Sequence, residues 1–261
     1  MKRGQIMFTQ NTSRFPQFPL FNAPYLSSTS EQLDIRFDTI ESAIQDFRMF
    51  FKKQGLIQVG EGKFVLIVDN EDRENEGDLV IAAQDVTPEK AAFMIRYTRC
   101  ITKLLTNSGV LCAPALCSRL EELGLPLMVE RNTDSMKTAY TITVDHKDTT
   151  TGISAADRAL TLRSLASPKS ISSDFNRPGH VFPLMYTPGG VLKRTGHTEA
   201  SIDFCLLSGK EPVAAISEVT LDNGHMARRN DLIPFAKTWG IKIVTISDLV
   251  AFRLEHGLVN L

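Results

Sequence analysis

Apolar positions along this chain fall into short runs and helical spacings, and these set the expected elements. Ile40, Ile44 and Phe47 recur at helical intervals behind Asp38 and Thr39, either of which can cap a short helix near Phe37. Phe64 to Val68 is a continuous apolar run of strand length, and Leu79 to Ala83 is a second. Thr87-Pro88 opens a helix with proline at its first position, carrying Ala91, Met94 and Ile95. Gly109 to Ala113 reads as a strand stopped by Pro114, and Thr138 to Asp145 has the β-branched and aromatic content of another. The turn Thr149 to Gly152 feeds a helix from Ser154 to about Ser167, with Pro168 just beyond it. His197 to Leu207 reads as a helix that stops at Gly209, and Val213 to Val219 as a strand. Asp231 to Trp239 reads as a helix ended by Gly240, Ile241 to Ile246 as the final strand, and Ser247 as the cap of the last helix. Strands and helices alternate irregularly, which predicts an α+β fold: a single mixed-sheet domain with surrounding helices.

Composition narrows the function classes. The 261 residues are 43% hydrophobic and 23% charged, enough for an ordinary core. A net charge of −1 argues against nucleic acid as a general electrostatic partner. Cys100, Cys112, Cys117 and Cys205 form no CxxC pair, so neither a zinc knuckle nor a disulfide framework is expected, and a reducing, cytoplasmic setting fits. No apolar run reaches membrane-spanning length. The first residues differ from the rest: Lys2, Arg3 and Arg14 are interspersed with Pro16, Pro19 and Pro24, and no acid precedes Glu31. Residues 1–34 read as a disordered tail or as a weak mitochondrial presequence, and the proline spacing weakens the amphipathic helix that the second requires. The folded domain is expected over residues 35–261.

The candidate chemistry starts at Asp69 to Asp78, DNEDRENEGD, where six carboxylates surround Arg73 directly after an apolar strand. A buried strand fixes its own end, so a loop leaving it can hold carboxylates in a defined geometry. Such carboxylates repel one another unless they share a cation or a proton, and hard oxygen donors suit Mg²⁺. The bland alternative is a solvated acidic loop. A second candidate is His180 in Arg177-Pro178-Gly179-His180, a general acid or base or else a structural histidine. A third runs from Gly189 to Glu199, where Arg194 and Thr198 flank the start of a helix, a natural anion site, and His197 offers a ring nitrogen to metal. Glu218 sits in the otherwise apolar run VAAISEV, where burial would raise its pKa. Cys112 either is a plain buried cysteine or lines a site. Thr149 to Thr151 form a further donor-rich helix start.

Taken together, these segments resemble the 3,4-dihydroxy-2-butanone 4-phosphate synthase family. RENEGD at Arg73 to Asp78, NTD at Asn132 to Asp134, TTTGISAADR at Thr149 to Arg158, RPGH at Arg177 to His180, GGVLKRTGHTEA at Gly189 to Ala200 and DNGHMAR at Asp222 to Arg228 occur in the family's order. The resemblance covers about Phe37 to Arg253. It implies conversion of D-ribulose 5-phosphate to L-3,4-dihydroxy-2-butanone 4-phosphate and formate in riboflavin biosynthesis, with Mg²⁺ or Mn²⁺, two ions per site. It also implies a homodimer with sites at the subunit interface. By resemblance Glu74 and His197 bind metal. Arg73, Glu74, Glu76, Asp78, Thr151, Arg194, Thr195, Gly196, His197, Thr198 and Glu218 contact substrate. His180 and Glu218 match essential catalytic positions, and Asp69 and Cys112 line the reacting centre.

The chain departs from the family pattern at two segments that look inserted, residues 51–59 and 99–107. The second precedes Cys112, and a register shift there would turn Cys112 away from the site. Either both are loops near the site mouth or both are unspliced segments of a conceptual translation, since neither completes an obvious element. An intact mass of the native protein lower by the insert masses would sink the loop reading. A smaller departure is Met136-Lys137, where the family often has glycine. No GTP cyclohydrolase segment follows the last helix, so a monofunctional synthase is expected. Two other readings use the same residues: an inactive dimeric scaffold of this fold, and a metal-dependent sugar phosphatase.

Overall fold

The computed structural model describes residues 37–48, 50–53, 56–59, 62–98 and 110–261. The N-terminal tail, residues 1–34, and the second extra segment, residues 99–107, lie outside the described residues. The first extra segment does complete an element, contrary to the expectation. β1 (Phe50–Lys53) and β2 (Leu56–Val59) pair antiparallel, with Phe50 opposite Val59 and Lys53 opposite Leu56.

The main sheet is built from β3 (Val65–Val68), β4 (Gly77–Ala82), β5 (Leu111–Ala115), β6 (Val144–His146), β7 (Phe175–Met185), β8 (Ala214–Glu218) and β9 (Lys242–Thr245), in the order β6-β7-β5-β8-β4-β3-β9. β3 with β9 and β5 with β7 are parallel; the other pairings are antiparallel. This is the mixed sheet that the irregular alternation predicts. Helices cover both faces. Val65 and Ile67 pack with α1 (Ile40–Arg48), α5 (His197–Leu207) and α7 (Ile246–Glu255), whereas Leu66 and Val68 pack on α6 (Arg229–Trp239). Ile81, Leu111, Ala113 and Val181 meet α2 (Pro88–Tyr97) and α4 (Ala155–Ala166). With both faces covered, β3 reads as an unbroken apolar run rather than an alternating one. All four of its side chains are 0% exposed, each worth roughly 1.5–3 kcal/mol of burial, so the acidic loop leaves a rigid end.

Several local readings need correction. β5 continues through Pro114, which lies opposite Leu184, to Ala115. An extended backbone accepts the fixed φ of proline, and the missing N–H falls where the ladder to β8 is interrupted between Cys112 and Ala115. Thr138 to Asp145 is strand only from Val144; Tyr140 and Thr141 make single bridges to Leu184 and Leu127. Pro183 of the facing strand has no N–H to extend that ladder. The last helix is capped by Thr245, whose hydroxyl accepts from the Asp248 N–H at 3.0 Å. Ser247 instead donates to Asn70 Oδ1 at 2.6 Å, tying the acidic loop to α7. α3 (Cys117–Glu122) and the long β7, which contains the whole RPGH segment, were not foreseen. Among the described residues no helix is long and apolar enough to cross a membrane.

Candidate active site

The acidic loop is a tight connection between β3 and β4, closed by the Asp69 N–H donating to Glu76 O at 3.2 Å. Asp69, 1% exposed, organises it. Its carboxylate accepts from the backbone N–H of Glu74 at 3.0 Å and of Glu76 at 2.8 Å, and from Arg73 Nη1 at 2.8 Å. The same Arg73 nitrogen donates to Glu74 Oε2 at 2.6 Å. Asn75 adopts a left-handed φ of 54°, tolerable for asparagine, and completes the turn. Antiparallel pairing of β4 and β8 then sets Asp78 directly opposite Glu218. The two carboxylates are cross-strand neighbours on one face.

The Arg194 to Thr198 segment approaches from the other side. Arg194 donates to Glu199 Oε2 at 2.6 Å and to Met136 O at 3.1 Å, while Glu199 also accepts from the Thr187 N–H at 3.2 Å. Gly196 lies against this pair: a Cβ there would meet Glu199 Oε2 at 2.8 Å. Gly196 is the N-cap of α5 and supplies no side-chain cap, so the helix start presents its backbone N–H groups beside Thr198. His197, 6% exposed, puts Nδ1 3.7 Å from Glu74 Oε2 and 3.8 Å from Asp78 Oδ1.

A cavity of about 200 Å³ lies where these elements meet. Arg73, Glu74, Asp78, Cys112, Arg194, His197, Thr198 and Glu218 all line it, joined by Thr138, Tyr140 and Ser217. Cys112 therefore keeps the site-facing register despite the segment preceding it, opposite Phe182 on one side and Ile216 on the other. Burial pushes its thiol pKa up, aided by Asp78 and Glu218, so Cys112 is a neutral wall rather than a nucleophile.

The electrostatics are those of crowded carboxylates around one imidazole. Burial disfavours the His197 imidazolium, yet Asp78, Glu74 and Asp69 outweigh it and raise the ring to about 9. His197 in turn, with Arg73, holds Glu74 at about 2 against its burial. Asp78 is driven up to about 7 by burial, and Glu76 likewise to about 7 by burial and then Glu218. Glu218 is raised by desolvation and by Glu74 and Asp69, with His197 opposing. Donor atoms of Asp69, Glu74 and His197 lie within 4.8 Å of one another. His197 Nε2 and Asp78 Oδ1 are buried without a hydrogen-bond partner among the described residues. A buried ring nitrogen and a carboxylate oxygen left unpaired among crowded carboxylates are what a divalent cation would satisfy, and the carboxylate oxygens suit Mg²⁺ or Mn²⁺. Asp69 is already saturated by loop N–H groups and Arg73, which leaves Glu74 and His197 as the readier ligands.

The remaining expected residues lie outside that cavity's lining. His180, on β7, accepts no part of it. Its Nδ1 is 2.6 Å from Asp145 Oδ2, and its backbone N–H donates to Asp145 Oδ1 at 2.9 Å. The ring is half exposed. Gly152, with φ of 79°, packs against this pair, where a Cβ would meet His180 Nδ1 at 2.6 Å. The turn bearing exposed Thr151 is thereby set over His180, held by Asp157, which accepts from Thr150 N–H at 3.1 Å and Thr150 Oγ1 at 2.8 Å. Glu76 and exposed Thr195 flank the cavity's two loops without lining it.

The family model described as 3,4-dihydroxy-2-butanone 4-phosphate synthase matches residues 53–252. The chain belongs to this synthase family. The synthase of that name from Schizosaccharomyces pombe is 48% identical over 217 residues, 82% of this chain and 96% of the relative. The riboflavin biosynthesis protein RibBA from Phocaeicola vulgatus is 47% identical over 224 residues, 85% of this chain, but the chain spans about half (50%) of that relative's length. A crystal structure of a synthase of the family in complex with two magnesium ions superposes with a TM-score of 0.74 at 43% identity, covering 86% of this chain and all of the other (100%).

Three residues that the fold brings to the cavity or to its expected partners are not singled out by the sequence: Tyr140, Asp145 and Glu199. Glu199 ends the glycine-rich segment from Gly189, five residues after Arg194, and that spacing is its one signal in the sequence. Nothing local marks Asp145, which meets His180 only because β6 pairs with β7.

Proposed function

We propose that this synthase family member converts D-ribulose 5-phosphate to L-3,4-dihydroxy-2-butanone 4-phosphate and formate, as a lyase of riboflavin biosynthesis. The observation that carries the reading is the meeting of Glu74, His197, Asp78 and Glu218 with Arg194 and an open helix start in one cavity. The phosphate of the sugar is held by Arg194, Thr198 and the N–H groups at the start of α5. Glu199 orients Arg194 for it. Glu74 and His197 would hold the divalent ions, Mg²⁺ or Mn²⁺, two per site, which polarise the sugar carbonyl and acidify its hydroxyls. Arg73 orients Glu74, and Asp78 contacts the sugar hydroxyls. Asp78, raised to about 7, exchanges protons with those hydroxyls, and Glu218, raised by burial, faces it as the second proton-transfer carboxyl. His180, oriented by Asp145, moves the proton at the carbon next to the carbonyl. Thr151, Thr195, Gly196 and Glu76 complete the substrate contacts. Residues 35–261 act as the synthase domain, and reduced Cys112, Cys117 and Cys205 accord with a cytoplasmic setting.

The decisive assay incubates the protein with D-ribulose 5-phosphate and Mg²⁺. Formate accumulates, and EDTA abolishes it. Inorganic phosphate in place of formate would mean a phosphatase, and neither product an inactive scaffold.

A homodimer accounts for the separation of His180 and Thr151 from the cavity. Leu127, Met128, Val129 and Ile153 are exposed apolar side chains that a second copy would cover. If each site draws His180 from a partner, mixing His180→Ala and His197→Ala proteins, each inactive alone, restores about a quarter of wild-type activity through mixed dimers. No recovery after exchange of subunits would place both residues in one chain's site.

A further inference from the structure

We infer that Arg228 is a positioning residue that clamps the acidic loop and so fixes Glu74 for metal; the inference rests on the reading of the site above. Arg228 is the N-cap of α6 and its backbone is anchored there, its N–H donating to Asp231 Oδ2 at 3.0 Å. Its side chain reaches away from the helix. Arg228 Nη1 donates to the carbonyls of Glu74 and, at 2.8 Å, of Asn75, and lies 3.4 Å from Glu76 Oε1. The left-handed turn at Asn75 brings two successive carbonyls to one guanidinium nitrogen. From inside, Asp69 holds the same loop by the N–H groups of Glu74 and Glu76. Glu74 thus has its N–H fixed by one side chain and its carbonyl by another.

Arg228 is itself placed by the strand that carries Glu218. After β8 the chain turns back on itself: Thr220 bridges Met226, the Leu221 N–H donates to His225 O at 2.8 Å, and the Ala227 N–H to Val219 O at 3.0 Å. Thr220 and Met226 both line the cavity. One hairpin therefore sets Glu218 at the cavity and, ten residues on, the guanidinium that grips the opposite loop. Planar, forked donors suit such a multiple contact, and lysine offers only a point charge.

Electrostatics and positioning predict opposite signs here, which makes the inference testable. Removing a cation near a divalent-ion site strengthens metal binding by Coulomb's law alone. Removing a clamp weakens it, and losing such outer partners of metal ligands typically costs about 10–100-fold. Mn²⁺ binding to the free protein, read by calorimetry, is expected to weaken about tenfold or more in Arg228→Ala and to recover only partly in Arg228→Lys. The melting temperature should move by no more than about 3 °C, since the side chain is about half exposed (46%). Arg229→Ala is the control: it removes the same charge beside the same loop, but Arg229 meets that loop at the Glu71 side chain, at 3.7 Å, and otherwise lies over the Phe37 ring, 5.0 Å from its centroid. Its Mn²⁺ affinity should stay within about twofold. Wild-type-like or tighter Mn²⁺ binding by Arg228→Ala would overturn the clamp while wild type still binds Mn²⁺ and releases formate. Wild type that does neither would overturn the site reading and the clamp with it.

Discussion

Replacing His197 with alanine is expected to lower formate release from D-ribulose 5-phosphate by about 1000-fold or more and to abolish its response to Mg²⁺. His197 is buried at the first position of α5, and its Nε2 has no hydrogen-bond partner among the described residues. It is also the cation that holds Glu74 low and restrains the rise of Asp78 and Glu218. Its removal takes away a ligand and leaves the carboxylates facing one another. The same residue imposes a pH dependence whose sign is fixed. A ligating imidazole must be neutral, yet the metal-free ring sits at about 9, above its ordinary 6.5. At pH 7 the ring therefore carries a proton that metal must expel. Apparent Mn²⁺ affinity should rise about tenfold per pH unit and level off near pH 9, with close to one proton released per His197 ligated at pH 7. Calorimetry in buffers of different ionisation enthalpy measures both. Affinity independent of pH from 6 to 8 in the wild type would show that His197 is not a ligand.

The sequence made some of this site legible for identifiable reasons. Arg194, His197, Thr198 and Glu218 could be proposed because each lies near a strand end or helix start that hydrophobic pattern marks out; that pattern marked the acidic run after β3 only as a whole, and the resemblance to the synthase family singled out Glu74 and Asp78 within it. β3 was readable because both its faces are covered, and α5 because Gly196 and Gly209 bracket it. What stayed hidden depends on pairing between distant segments. The opposition of Asp78 and Glu218 is a register fact, as is the contact of Asp145 with His180. Pro114 misled because a proline usually ends a strand, and here it falls at a gap in the ladder. Ser247 was a plausible cap, but Thr245 is one turn position better placed, which frees the serine for Asn70. The hairpin of β1 and β2 lacked the short turn signals that usually announce one.

Asp145 carries the second large expectation, because it is the only described partner that orients the His180 ring. Its Oδ2 is 2.6 Å from His180 Nδ1, and its Oδ1 accepts the His180 backbone N–H, so ring and main chain are fixed by one carboxylate. Gly179 permits this closeness, since a Cβ there would run into the Val144 and Asp145 backbone. The contact engages Nδ1 and leaves Nε2 as the ring nitrogen for proton transfer, with the carboxylate placed to stabilise an imidazolium. Asp145→Asn keeps the shape but offers an amide that can favour the other tautomer. kcat is expected to fall about 100-fold or more, with KM for D-ribulose 5-phosphate changed less than threefold, because the phosphate and metal contacts lie elsewhere. His180→Ala should cost at least as much, within the roughly 100- to 10,000-fold range of a positioned acid or base. The double substitution separates orientation from an independent role. If Asp145 acts only through His180, the double variant is no slower than His180→Ala alone. Multiplied losses would give Asp145 a function of its own, and a wild-type kcat in Asp145→Asn would remove the pair from the proton-transfer step.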